Sequence, residues 1–468
     1  MPPRRHQIRP QNAEPEPPRE TLPPDDPEGD RSSIENDQDE DDDTTQSSPL
    51  PFYNTTFSAH RISPLYLGSE GLTPNRLQLL AHRLRDKLAG DVVRGVEIGG
   101  ADREDSVMGR AGALERVDIS WVSVADVLGF SREDVEVLED DEDTASSWRL
   151  ATRGLRGKRA LHIAVRYETA SCTALMLPSL QGEDGSEAEL PDAQRARFWV
   201  GDATATARGP SLNPNPSHFL SLPLLLLRMP GPLKTVISDF LTTTFDCRVS
   251  PMRLGTRSLV GSWECWLKSA GLLPRGHLSK DVVLSLGFYV PETSASAQAS
   301  DEDATVNQQQ PLGIKSIDVI VPATELRKFV AAGRRVGELQ DKQPVARGGL
   351  GWEGDLKKRR RLAGRLYEEG WEWRAGSPGQ GSAPATQPFM EALAYYLKEQ
   401  LGLNLFHPGV RVIKIACGGF AMSESRLKLF APVTDAGVDH LSSLAPRCAV
   451  LELVGGLAHK AQIRTVTG

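Results

Sequence analysis

His407-Pro-Gly-Val-Arg-Val-Ile-Lys-Ile-Ala-Cys-Gly-Gly-Phe-Ala-Met-Ser423, with Arg426-Leu-Lys-Leu-Phe430 just beyond it, is the stretch on which the architecture of this 468-residue chain turns. Ile413, Ile415 and Cys417 recur at every second position and so share one face of a strand. Met422-Ser-Glu-Ser-Arg426 reads as a turn and Arg426–Phe430 as the return strand. Two strands joined this closely run antiparallel, because a parallel pair needs a long crossover.

The same alternation recurs upstream. Val117, Ile119 and Trp121 mark one strand, Leu161, Ile163, Val165 and Tyr167 a second, and Val282, Leu284, Leu286 and Phe288 a third. Order is expected to begin at Phe52, where Phe52-Tyr-Asn-Thr-Thr-Phe57 favours a strand, and Cys448–Val454 is expected to form another. Thr73 caps a helix with Pro74 at its first position, Leu77, Leu80, Leu84 and Leu88 on one face, and Gly90 closing it. Further helices are predicted over Leu233–Phe245, Ser258–Ala270 and Phe389–Leu401. Helices do not alternate regularly with strands, so the expected class is α+β: a largely antiparallel sheet with helices packed on one side. The proline-rich stretch Pro210–Pro232 is the natural boundary, dividing 51–209 from 210–468.

Residues 1–50 are different in kind. They hold 10 of the 33 prolines, no aromatic residue, and 14 acidic against 5 basic side chains. Such a segment cannot bury enough apolar surface to offset chain entropy and is expected to be a disordered acidic tail. It is either a solubilising tail or, through Ser32, Ser33 and Ser47, a phosphorylatable one. The tail accounts for −9, so the net charge of −8 leaves a body near +1. No run approaches the length of a membrane span, and Met1-Pro-Pro-Arg-Arg lacks the apolar stretch of a secretory signal. Cys172, Cys247, Cys265, Cys417 and Cys448 are scattered, an odd set that suggests reduced thiols of the cytosol or nucleus rather than a disulfide framework or zinc site.

Signatures of catalysis are missing. There is no G-x-x-x-x-G-K-[ST] loop, no H-E-x-x-H and no G-x-S-x-G elbow. Acids from Glu133 to Asp143 read as a solvated loop, and Trp371 and Trp373 as core anchors rather than base-stacking groups. No catalytic residue, cofactor or metal is assigned. Cationic stretches carry more information. Lys357, Lys358, Arg359, Arg360 and Arg361 form a continuous run, and Arg149–Arg166 holds six basic residues and no acid. Each run is either a charged surface or a nuclear-import or phosphate-binding patch.

Taken in order, Phe52–Phe57 with Arg61-Ile-Ser-Pro-Leu65, Leu84-Arg-Asp-Lys-Leu88, Phe240-Leu-Thr-Thr-Thr-Phe-Asp-Cys-Arg-Val-Ser-Pro-Met-Arg-Leu254, Ile317-Asp-Val-Ile-Val-Pro322 and the His407–Phe430 stretch resemble the fungal CENP-L family of inner-kinetochore subunits. The resemblance covers residues 51–468 in patches. It implies a curved, largely antiparallel sheet, a nuclear, centromeric location, a structural, non-enzymatic role in chromosome segregation, and obligate pairing with a CENP-N-like subunit among other inner-kinetochore proteins. The residues expected to carry the partner are Val410, Val412, Ile413, Ile415, Phe420, Leu427, Leu429 and Phe430 of the hairpin, with Val450, Leu451 and Leu453. These strands either offer an edge to a partner strand or are interior and satisfied within the chain. The family also implies proximity to DNA, for which Arg248, Arg253, Arg257, Lys268 and the Lys357–Arg361 run would line a groove. Alternatively those arginines pair with Asp239, Asp246 and Glu264. The competing functional reading is a stand-alone nuclear nucleic-acid-binding module using the basic patches.

Overall fold

A computed structural model of the chain describes residues 52–93, 111–135, 155, 157–180, 218–270, 280–289, 314–342, 370–375, 387–432 and 440–462. The expected disordered tail and the Lys357–Arg361 run lie outside them. In chain order the elements are β1 (Thr56–Ile62), β2 (Leu65–Tyr66), α1 (Pro74–Val93), β3 (Leu114–Ser123), α2 (Val124–Val127), β4 (Arg159–Tyr167), β5 (Ser171–Leu177), β6 (Phe219–Leu220) and β7 (Leu224–Arg228). There follow α3 (Gly231–Phe245), β8 (Val249–Pro251), α4 (Thr256–Ser269), β9 (Val282–Phe288), β10 (Ser316–Val321), α5 (Leu326–Lys342), a 3-10 turn (Glu372–Ala375), α6 (Pro388–Leu401), β11 (Val410–Ala416), β12 (Phe420–Ser423), β13 (Arg426–Leu429) and α7 (His440–Gln462).

Eleven strands form one antiparallel sheet in the order β10-β9-β11-β12-β13-β1-β7-β5-β4-β3, with β8 also paired to β1. The N-terminal strand thus lies between β13, through Phe57 opposite Leu427, and β7, through Ala59 opposite Leu226. Residues 50–468 make one compact unit, and β5 pairs with β7 in this sheet. β2 and β6 pair separately as a small ribbon.

The α+β class and the antiparallel sheet are as expected. Among the described residues, helices cover the inner face alone of β9–β13, where Leu284, Leu286, Ile415 and Leu427 meet Trp263, Phe389, Leu393 and Val450. Along β7 and β5 both faces are covered. Leu224 and Leu226 enter that first core, whereas Leu225 and Leu227 enter a second with Leu80 and Leu84 of α1 and Ile237 and Leu241 of α3. A strand enclosed on both sides has no solvent face, which is why residues 224–227 are uninterrupted leucine.

Several local expectations need correction. Cys448–Val454 lies in the helix α7, not in a strand. Cys448, Ala449, Val450, Leu451, Leu453 and Val454 are all buried, and a helix enclosed on nearly every side shows no polar stripe to reveal its period. The C-terminal sheet contains two hairpins rather than one, because Phe420–Ser423 forms its own strand between β11 and β13. α1 begins at Pro74, with Thr73 Oγ1 accepting from Arg76 N at 3.4 Å, but continues past Gly90 to Val93. Within the acidic run, Asp134 is buried, not solvated. It accepts from Ser131 N at 2.8 Å, Ser131 Oγ accepts from Asp134 N, and Arg447 of α7 reaches the same carboxylate at 2.9 Å.

Candidate functional site

Nine of the residues expected at the partner interface (Val410, Val412, Ile415, Phe420, Leu427, Leu429, Val450, Leu451 and Leu453) are no more than 4% exposed. They belong to the core beneath the sheet, and of the two alternatives for the hairpin the structure takes the interior one: β11, β12 and β13 each have a strand on both sides. Ile413 and Phe430 remain accessible, and a bulge explains the first. β11 pairs with β9 through Val412 opposite Leu286 and then Lys414 opposite Ser285, which leaves Ile413 as the extra residue. It turns outward, 42% exposed, and its Cγ2 lies 3.0 Å from where a Cβ on Gly287 would stand. The expected shared face of Ile413, Ile415 and Cys417 is broken here.

The sheet ends differently on its two sides. β3 carries Glu115, Arg116 and Asp118, with Arg116 and Asp118 ion-paired at 2.7 Å; charged side chains of this kind discourage strand addition. β10, Ser-Ile-Asp-Val-Ile-Val, has one charge, and Ile320 is 61% exposed. No strand lies beyond it among the described residues. By composition β10 is the less protected of the two described edges.

The outer face of β9 and β11–β13 is floored by small side chains. Two cross-strand rows lie on it, Ser285–Lys414–Ser423 and Val283–Ala416–Ala421–Lys428, with Thr56 and Ser58 of β1 at its border. From that floor rise Lys414, Arg426 and Lys428, while Arg411 is half-buried, with its Nε and Nη2 shielded from solvent. The Arg411 guanidinium lies 4.1 Å from the Tyr289 ring centre, and Lys280 and Lys428 flank Phe430 at 5.6 and 5.4 Å. Opposing carboxylates are few among the described residues: Asp318 on β10 and Glu424 in the β12–β13 turn. No described helix packs on this face. The result is a broad, flat cationic surface with two aromatic rings, the chemistry suited to phosphate groups.

Arg248 and Arg253 flank β8, which continues the line of β13 along β1, and both are exposed; Arg253 reaches Glu424 at 3.9 Å. Arg257 and Lys268 belong to α4, which packs against the inner side of the sheet. The expected groove therefore divides between two faces, with its Lys357–Arg361 wall outside the described residues. Glu264 is not an arginine's exposed partner but a buried group at the start of α6, where Met390 N donates to its Oε1 at 3.2 Å. The sequence reading passed over Arg411, Lys414, Arg426 and Lys428 because it followed the apolar members of each alternating strand. The polar members, in Val410-Arg-Val-Ile-Lys and Arg426-Leu-Lys-Leu, held the signal.

Comparison with known families matches residues 51–462 to the model of Centromere protein L, CENP-L. The chain belongs to the CENP-L family. CENP-L proteins are structural kinetochore proteins, and membership makes this chain a nuclear protein of the centromere and kinetochore that serves chromosome segregation. Among curated proteins, none matches the chain. Among the described residues no helix is long and apolar enough to cross a membrane.

Proposed function

We propose that this CENP-L family member is a non-catalytic structural subunit that pairs with a CENP-N-like protein and so helps to link centromeric chromatin to the kinetochore. The observation that carries the pairing is the β10 edge, β-branched, nearly uncharged and with no described strand on its outer side. A partner strand added there extends the sheet through main-chain hydrogen bonds, with Ile320 contributing side-chain contact. The hairpin residues Val410–Phe430 act indirectly, holding β9 and β10 in position. Co-expression of the full-length chain with a CENP-N-like protein tests this. A single co-purifying complex is expected, and Ile320→Lys or Ile320→Pro should release the partner while the chain stays folded. Separate elution of the two unaltered proteins at micromolar concentration overturns the pairing.

A second reading rests on the cationic face: the chain itself binds nucleic acid through phosphate contacts with Lys414, Arg426 and Lys428, aided by Arg248 and Arg253. It predicts DNA affinity in the absence of any partner, falling steeply with added salt. The two readings separate through Ile320→Pro, which blocks the β10 edge without adding charge to the cationic face, and Lys414→Glu, which leaves the β10 edge intact.

A further inference from the structure

The small ribbon of β2 and β6 presents a different kind of surface. Leu65 opposite Leu220 faces the second core, and Tyr66 opposite Phe219 faces away from it. Tyr66 is 45% and Phe219 42% exposed, their ring centres are 5.4 Å apart, and His218 lies 6.4 Å from Tyr66. Arg76, in the first turn of α1, donates from Nη1 to the carbonyl oxygens of Leu67 and Gly71, each at 2.6 Å, and ties the start of the helix to the end of the ribbon. From Arg76 the positions Leu79, Arg83 and Lys87 follow at three- and four-residue spacing and form one stripe beside the buried face of α1. Leu79 is 51% exposed although it sits among cations. Three large apolar side chains are thus held in the open on regular backbone, alongside Arg83, Lys87 and the backbone-bound Arg76, with exposed Asp86 one turn from Arg83 as the neighbouring acid.

The geometry points to this corner of β2, β6 and α1 as a docking site for an acidic peptide segment of a partner protein that carries apolar anchors. The argument is charge complementarity joined to exposed rings. Arg76, Arg83 and Lys87 attract carboxylates and repel a basic segment, while the Tyr66–Phe219 pair and Leu79 gain only from apolar side chains brought against them. Aromatic and arginine side chains in one patch are the composition of interface hot spots. The stripe from Arg76 to Lys87 spans about 16 Å at the helical rise per residue, which an extended segment of roughly five to seven residues covers.

Fluorescence anisotropy with the full-length chain tests the site with three labelled peptides. One is a Glu/Asp-rich peptide containing one Phe and one Leu, one has the same acids with the Phe and Leu replaced by Ser, and one has the acids replaced by Lys. The first is expected to bind and the other two to bind far more weakly. Tyr66→Ala combined with Phe219→Ala should weaken the first peptide about ten-fold or more, and Arg83→Glu should weaken it several-fold with a reduced salt dependence. Thermal melts by circular dichroism check that the variants fold. Should the double variant not fold, Arg83→Glu, at an exposed helix position, carries the test alone. Equal binding of the Ser-substituted peptide, unchanged affinity in the variants, or displacement of the peptide from these residues by duplex DNA would each overturn the proposal.

Discussion

Glu264 Oε1 accepts a hydrogen bond from Met390 N at 3.2 Å, so a carboxyl group on α4 caps the first turn of α6. Burial pushes its pKa up from 4.5 to about 7, and the donors Met390 N and Phe389 N with the nearby Lys268 and Arg374 only partly oppose that rise. A carboxyl whose folded pKa exceeds its unfolded value holds its proton more tightly in the folded state. Its contribution is therefore most favourable below the unfolded pKa and declines as pH rises toward the folded one. Glu264→Gln keeps an acceptor for Met390 N and removes the charge. It should raise the melting temperature at about pH 8, by the equivalent of at most about 3 kcal/mol, and change little at about pH 4. Paired thermal melts of the two proteins read the difference, and an equal shift at both values would refute the account.

Arg447 and Asp134 should prove unequal when truncated. Loss of either breaks a largely buried ion pair, but Asp134 also accepts from Ser131 N at the start of the following turn. Asp134→Ala is expected to cost about 3 kcal/mol or more, and Arg447→Met less, because only the first also uncaps a backbone donor. Urea unfolding of both single variants and the double variant gives the ordering and the coupling between them.

Gly333 and Gly456 make a contrasting pair. A Cβ at Gly333 would run into the Pro388 carbonyl of α6, a backbone atom that cannot step aside, whereas at Gly456 it would meet nothing within 4 Å. Gly333→Ala should force α5 and α6 apart and destabilise by about 2 kcal/mol or more. Gly456→Ala, in the exposed part of α7, should stabilise by about 0.5–1 kcal/mol. Chemical denaturation distinguishes the signs.

Ile413 and Ile415 offer the same comparison within one strand. Ile415→Ala removes a fully buried side chain and should cost about 2–5 kcal/mol. Ile413→Ala, on the outward bulge, should cost under about 1 kcal/mol.

For the cationic face, Lys414→Glu and Lys428→Glu should leave the melting temperature nearly unchanged. If this face meets DNA, each neutralised contact should lower the slope of log affinity against log salt by about 1. An unaltered slope removes these residues from any DNA contact.

The amphipathic helices were legible in the sequence because each has one wet side: Leu233, Ile237, Phe240 and Leu241 recur at helical spacing in α3, and Leu259, Trp263 and Trp266 in α4. α7 was not, since water touches too little of it to impose a period. Alternation located β3, β4, β9 and β11, but alternation states only that a strand has two faces. It does not reveal which strands lie beside it. The interior position of β11–β13 follows from pairings made across most of the chain's length, and the burial of the expected interface residues follows from that position. The outward turn of Ile413 depends on its being the one extra residue between the Val412–Leu286 and Lys414–Ser285 pairs, for which an apolar pattern has no symbol.

The place of β1 between β13 and β7 also governs how the molecule is made. During synthesis β1 leaves the ribosome early, and one side of it must wait until almost the entire chain has followed before Leu427 arrives to cover Phe57. Until then a strand edge and part of the core stand open, a state prone to aberrant association. Assembly of this sheet is consequently a late, cooperative event, slow in the manner of folds built on distant pairings. A fragment lacking the C-terminal strands leaves Thr56–Ser58 unpaired on that side, while β7 and β8 still hold the rest of β1.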